Sequence, residues 1–326
     1  MTYCSPDRPF TFLDTPFFYS TTLHLLTILA IPTHLFGAYC ILFKTPSRMI
    51  SVKWSLLHLH FWVSLVDFGL NTLTIPFILL PVYAGYPLGI LRFTGLSTEV
   101  QLVLMMTSLA VMCFSIVCIF ENRYHVIAAQ SHWWHCFRLP WFLINIAISI
   151  FITVPVPILF FTPKPANLED LLQILPCLPE DVKSENLMIV NENHPLAFLK
   201  LAGAQILFLV LQISLFFQLI KRYFHQFNTK LSERTVTLQK KLISQLILQL
   251  IIPFFILLSP VTYCALSVIT GYHNQSLNNL SFIVISSHGI FSTVAMIAIH
   301  VPYREEVRRV WRRATVRPER SHVADP

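Results

Sequence analysis

Charged residues fall in bursts along this chain, and the long intervals between bursts are what any fold must accommodate. No Asp, Glu, Lys or Arg occurs between Asp14 and Lys44, Glu99 and Glu121, Arg138 and Lys164, Lys200 and Lys221, or Lys241 and Arg304. Each interval reaches the ~20 apolar residues a helix needs to cross the ~30 Å hydrocarbon core of a bilayer. The last is too long for one helix and has a polar middle, Gly271 to Asn279, so it divides in two. A further run, 54–81, carries a single acid, Asp67. The runs are apolar all round rather than alternating, which predicts helices and not barrel strands. The expected fold is an all-α membrane protein, a bundle of seven transmembrane helices at about 17–43, 54–81, 99–120, 139–162, 200–220, 242–270 and 280–300. An arm (1–16) precedes the bundle and a tail (304–326) follows it.

Only 12% of the residues are charged and 55% are apolar, against about 25% charged in a soluble domain. A soluble surface cannot be built from so few charges, and the soluble classes are excluded. The net charge of +7 does not point to nucleic acid, because the basic residues sit in short segments between apolar runs. The first, third and fifth loops and the C-terminal tail hold eighteen Lys and Arg, the opposite side four. By the positive-inside rule the N-terminus is expected outside and the C-terminus in the cytoplasm. The leading residues lack a basic start followed by a short apolar core, so no cleavable signal peptide is expected and the first span serves as a signal-anchor. The long fourth loop, 163–197, is acidic and suits an outer lid. Asn274-Gln-Ser276 and Asn279-Leu-Ser281 match the N-glycosylation acceptor in the outer sixth loop. Asn274 is the candidate, since Asn279 lies close to the membrane.

Of seven cysteines, only Cys4 and Cys177 fall on the oxidising side. They form either a disulfide holding the lid loop over the bundle or two free thiols. No cysteine pair has metal-site spacing, and neither a metal nor a cofactor is expected. Asp67 lies at mid-membrane, where a carboxyl must be protonated, hydrogen-bonded or paired with a cation. It reads as a conformational switch or ion site, or as a satisfied structural hydrogen bond. By depth, Glu99, Val103 and Met106 in span three, Lys200 in span five and Tyr263 in span six are candidates to line an outer ligand pocket. For Glu99 and Lys200 the reading to prefer is an ordinary helix-end charge reaching water.

Span three ends Phe120-Glu121-Asn122-Arg123-Tyr124. Its acid and base can pair locally at rest, and an opening bundle frees Arg123 to meet a partner. Beyond span seven, Val307, Val310 and Trp311 share one helical face and Arg308, Arg309, Arg312 and Arg313 cover the other, which predicts a basic amphipathic helix on the inner membrane surface.

Three of these stretches together resemble the nematode serpentine-type chemoreceptors of class H: Phe120–Tyr124, Pro176-Cys177 in the long loop, and Ile299-His-Val-Pro-Tyr-Arg304 at the exit of span seven. The resemblance runs from about Cys4 to Arg304. It implies a G-protein-coupled receptor of the sensory cilium or plasma membrane, active in olfaction or related sensory perception. Such a receptor binds a small environmental chemical from outside and activates a heterotrimeric G protein inside. It further implies that Glu121, Asn122, Arg123 and Tyr124 belong to the G-protein switch, and that Tyr303 and Arg304 form the hinge before the surface helix. A ligand-gated channel or small-solute transporter is the alternative, disfavoured by the odd span count and the absence of an internal repeat. No enzyme motif is present: there is no His-Glu-x-x-His, no paired span aspartates and no nucleophile elbow. Span seven has no lysine for a retinal Schiff base.

Overall fold

The computed structural model describes residues 11–81, 84–128, 132–153, 188–189, 195–226 and 233–315. A short 3-10 turn, Phe12–Asp14, leads into α1 (Pro16–Lys44). Thr15 caps α1 by accepting from the Phe18 N–H, and Pro16 occupies the first helical position, where its missing N–H costs nothing. Then follow α2 (Ile50–Phe68), α3 (Thr98–Ile127), α4 (His132–Thr153), α5 (Pro195–Gln226) and α6 (Glu233–Thr270). The last three helices are α7 (Gln275–Ser286), α8 (His288–Ile299) and α9 (Val301–Thr315).

Among the described residues, six segments are long and apolar enough to cross a membrane unaided: Pro16–Lys44, Thr98–Ile127, Trp133–Phe151, Leu199–Gln226, Gln239–Thr270 and Gln275–Ile299. The last of these is α7 and α8 in series. The seventh crossing segment, α2, has 19 residues and carries Lys53, two histidines and Asp67. It packs against α1, α3 and α8. α3 touches α2, α4 and α5; α5 touches α6; the α7–α8 segment packs on α6 and returns to α1. The result is a closed seven-helix bundle.

Its polarity is inverted relative to a soluble protein. Leu25, Ile28, Leu35, Phe61, Phe151, Leu207, Phe255 and many other large apolar side chains are exposed. His34, Asp67, Asn71, Glu121, Arg123, Asn145, Gln212 and His300 are buried. Hydrocarbon solvates the first set and forces the second to find partners inside. The α4–α5 seam shows how. Trp141 Nε1 donates to Gln212 Oε1 at 3.0 Å, and Gln212 Nε2 donates to Asn145 Oδ1 at 2.9 Å. Such bonds stand in for the hydrophobic drive that lipid removes.

The second span ends earlier than its apolar run implied. Helix 54–81 was the expectation; α2 instead stops at Phe68, continues as a π-helical turn over Gly69–Leu73, and gives way to β1 (Pro76–Leu79). Pro76 has no N–H to extend a helix and drives its predecessor out of the helical region, and Ile75 sits at φ 43°. β1 pairs antiparallel with β2 (Ala84–Pro87), Phe77 opposite Tyr86, and β3 (Met188–Ile189) adds to the β2 edge. Phe77, Leu79, Ala84 and Tyr86 pack with Tyr19 and Leu23 of α1 and with Phe282 and Ile283 of α7. The hairpin thus plugs the end of the bundle where α1 begins. Apart from β3, the acidic loop 163–197 is described only from residue 195.

Candidate functional site

At mid-bundle the polar residues form one connected node. Asp67 on α2 is 1% exposed. Its Oδ2 lies 3.1 Å from His34 Nε2 on α1, and its Oδ1 accepts the backbone N–H of Gly289 on α8 at 3.2 Å. His34 Nδ1 lies 3.1 Å from Thr293 Oγ1, also on α8. Both contacts are satisfied when His34 Nε2–H donates to Asp67 and Nδ1 accepts from Thr293. His60 Nε2 donates to the His34 carbonyl at 2.9 Å, and Asn71 Nδ2 donates to the Ser286 carbonyl at 3.0 Å. The seventh span breaks at Ser287, between α7 and α8, beside this carboxylate. His288 Nδ1 comes within 3.2 Å of Asp67 Oδ1 but donates to the Ile285 carbonyl at 3.0 Å. Asp67 therefore ties three crossing segments together at a break in one of them, an arrangement that can hold two helix positions in balance.

A second constellation sits at the end where α9 emerges. Glu121 is buried, and its charge is met not by Arg123 but by Arg138 of α4. Arg138 Nε stands 2.8 Å from Oε1, and the directional bond comes from Nη2 to Oε2 at 3.2 Å. Trp134 Nε1 adds a bond to Oε1 at 3.1 Å. Local pairing of Glu121 with Arg123 fails for a geometric reason: residues two apart on a helix point to opposite sides. Arg123 is 1% exposed, and among the described residues no carboxylate pairs with it. Its Nε has no hydrogen-bond partner, and it lies within electrostatic reach of His300 at the end of α8. Tyr124 is buried among Trp134 and Phe216 with ring centroids at 5.7 and 6.2 Å. Asn122 is half-buried.

α9 is clamped to α1. Tyr303 is fully buried, with its hydroxyl 2.8 Å from Thr45 Oγ1. Glu306 Oε1 receives Arg309 Nη2 at 2.9 Å, Lys44 Nζ at 3.3 Å and the Tyr39 hydroxyl at 3.3 Å. Arg304 caps the preceding helix by donating to the Ala298 carbonyl at 3.2 Å. Val307, Val310 and Trp311 stay exposed, as a face meant for lipid would.

At the hairpin end, Glu99 lies in the first turn of α3, half-buried, where a carboxylate suits the helix dipole. Val103 and Met106 are half-buried on α3 and Lys200 is exposed on α5. The Tyr263 hydroxyl donates to Asn278 Oδ1 at 2.9 Å and so links α6 to α7. None of these five lines the cavity of about 340 Å³ that opens between α1 and α2 beside Asp67. Asn274 caps α7 through Leu277 N–H and is half-buried. Asn279 is buried and donates to the Leu13 carbonyl at 2.7 Å. Cys4 and Cys177 lie outside the described residues. Cys40, Cys113, Cys118, Cys136 and Cys264 are free thiols. Among the described residues no His, Cys, Asp or Glu cluster is arranged for a metal ion.

The sequence pattern missed His34, Thr293 and Gly289 around Asp67, and Arg138, Trp134 and Glu306 at the α9 end. His34 was findable, because it interrupts an apolar span just as Asp67 does. The others act through contacts between helices distant in sequence, which spacing does not reveal.

An apolar exterior around seven crossing segments, with polar nodes inside, defines a multi-pass membrane protein. The chain belongs to the serpentine-type seven-transmembrane GPCR chemoreceptor family Srh, whose profile matches residues 14–313. It is 25% identical over 300 residues to serpentine receptor class H-72 of Caenorhabditis elegans, an alignment covering 88% of this chain and 83% of that one.

Proposed function

We propose that this chemoreceptor-family protein binds a small environmental chemical from outside the cell and activates a heterotrimeric G protein inside it, at the plasma membrane of a sensory cilium. In this reading the hairpin end faces out and α9 lies on the cytoplasmic leaflet. The Lys and Arg bias of the loops and the exposed apolar face of α9 support that sidedness. The observation that carries the reading is Arg123: a fully buried guanidinium at the cytoplasmic end of the central helix, with its neighbouring acid taken by Arg138. Such a group is held in reserve, and separation of α6 from α3 exposes it to a partner. Glu121, Asn122 and Tyr124 then form the surrounding surface, with Tyr303 and Arg304 the joint that lets α9 move. The outer pocket lies around Glu99, Val103, Met106, Lys200 and Tyr263, under a loop that a Cys4–Cys177 bridge ties down, and Asn274 carries a glycan.

The test is a screen of small chemicals on cells expressing the chain with a G-protein dissociation sensor. A response lost in Arg123→Ala at equal surface expression supports the reading. A response that persists as membrane current in cells without G proteins overturns it. An epitope after Arg320 that antibody reaches on intact cells overturns the sidedness.

A further inference from the structure

A cavity lies between α1 and α2, lined by both helices along their length at mid-bundle. Its rim is Leu35 on α1 with Phe61 and Phe68 on α2, all exposed on the outer surface of the bundle. In a membrane that surface is hydrocarbon. Its inner end is polar, reaching His34, Asp67 and Asn71. Asn71 is 0% exposed; its Nδ2 is committed to the Ser286 carbonyl, but its Oδ1 has no hydrogen-bond partner. An orphaned buried acceptor is costly, and here it belongs to a residue lining a cavity whose exposed lining is apolar.

We infer that this cleft is a binding site for a small bilayer-soluble alcohol, an apolar body carrying one hydroxyl. The hydroxyl donates to Asn71 Oδ1 beside the Asp67 carboxylate, and the body lies along Leu35, Phe61 and Phe68. Three features select that class. The unmet group is an acceptor, so the ligand must donate. The path runs through hydrocarbon, where a charged head is costly, so the donor is neutral. The volume of about 340 Å³ stands at the low end of the ~300–1,000 Å³ range of small-molecule sites. At ~30 Å³ for each water-sized group it holds about ten such groups, which suits a medium-chain alcohol and not a whole sterol. The occupant would touch the node that joins α2 to the break between α7 and α8. It would thus act on the switch from the side, separately from the outer pocket and from any G protein.

The experiment uses the full chain in lipid nanodiscs and a diazirine-bearing octanol, with labelled peptides read by mass spectrometry, so it depends on no signalling response. Labelling is expected to concentrate on α1 and α2 around Leu35, Phe61 and Phe68. Excess octanol should compete about tenfold better than octane of equal chain length, the value of one hydrogen bond to an otherwise orphaned acceptor. Ala38→Phe, which fills the cleft without touching its polar end, should cut labelling there about tenfold. Asn71→Leu should keep the labelling and remove the preference for octanol over octane. Labelling spread evenly around the bundle overturns the site. Equal competition by octane overturns the recognition of the hydroxyl. Competition by cholesterol and not by octanol overturns the assignment to a small alcohol.

Discussion

The backbone N–H of Gly289 donates to Asp67 Oδ1 at 3.2 Å, and a Cβ at position 289 would fall inside the Asp67 carboxylate. The glycine is therefore required by close approach and not by a special backbone angle. An amide that would otherwise serve its own helix is turned to a side chain of α2, at the place where the crossing segment is interrupted. Gly289→Ala should destabilise the folded protein by about 1–3 kcal/mol, the usual cost of overpacking. Combining it with Asp67→Ala should add less than the sum of the two single changes, because the second vacates the space the first invades. Thermal unfolding of the four proteins in one detergent measures this. Strict additivity would show that the two residues do not meet.

Arg138→Ala removes the cation that faces Glu121 and leaves a buried carboxylate with only the Trp134 N–H. Breaking a buried pair from one side costs ~3–5 kcal/mol. Arg138 is about one-third exposed, so water makes up part of the loss and the expected effect is about 3 kcal/mol, the low end. Glu121→Gln in the Arg138→Ala background should recover much of it, since no charge is then left unpaired. If Glu121 instead relied on Arg123, Arg138→Ala would leave the unfolding temperature unchanged.

These two sites also show where reading a sequence stops. The crossing segments were legible because hydrocarbon admits few charges, so Asp14, Lys44, Glu99, Glu121 and the rest mark their limits directly. Asp67 was legible for the same reason, as the one acid inside a run. Its partners were not, since His34 is 33 residues away and Gly289 is 222 residues away. The end of the second span misled because Pro76 to Pro81 is apolar whether it continues a helix or forms a strand at the end of the bundle. The prolines were the only warning. The pairing assumed for Glu121 and Arg123 ignored helical geometry that was available without a structure.

The Tyr303 hydroxyl lies 2.8 Å from Thr45 Oγ1 and its ring is fully buried. Tyr303→Phe keeps the ring and loses the bond, at about 0.5–1.5 kcal/mol. Tyr303→Ala also empties the ring site, at about 3–5 kcal/mol. Hydrogen exchange over 301–315 should rise slightly in the first and strongly in the second. Equal exchange in both would show that the ring does not anchor α9.

Glu306 fixes the same helix by charge. Its burial favours the neutral acid, but hydrogen bonds from Arg309 and Lys44 outweigh that and hold its carboxyl below the ordinary value of 4.5. A carboxyl depressed on folding adds stability above its unfolded value and loses it as pH falls through its folded value. The clamp of α9 on α1 should therefore hold at and above the ordinary carboxyl value of 4.5 and should loosen only in stronger acid, as pH falls below it. A spin label on Val310→Cys, an exposed position, reports the mobility of α9 in nanodiscs as pH is lowered. Glu306→Gln should show the same mobility at every pH, looser than the parent at neutrality because an amide attracts Lys44 and Arg309 only weakly. Release of the parent helix already between pH 7 and 5 would mean that its carboxyl is raised and not lowered, and that Lys44 and Arg309 do not hold it in the charged form.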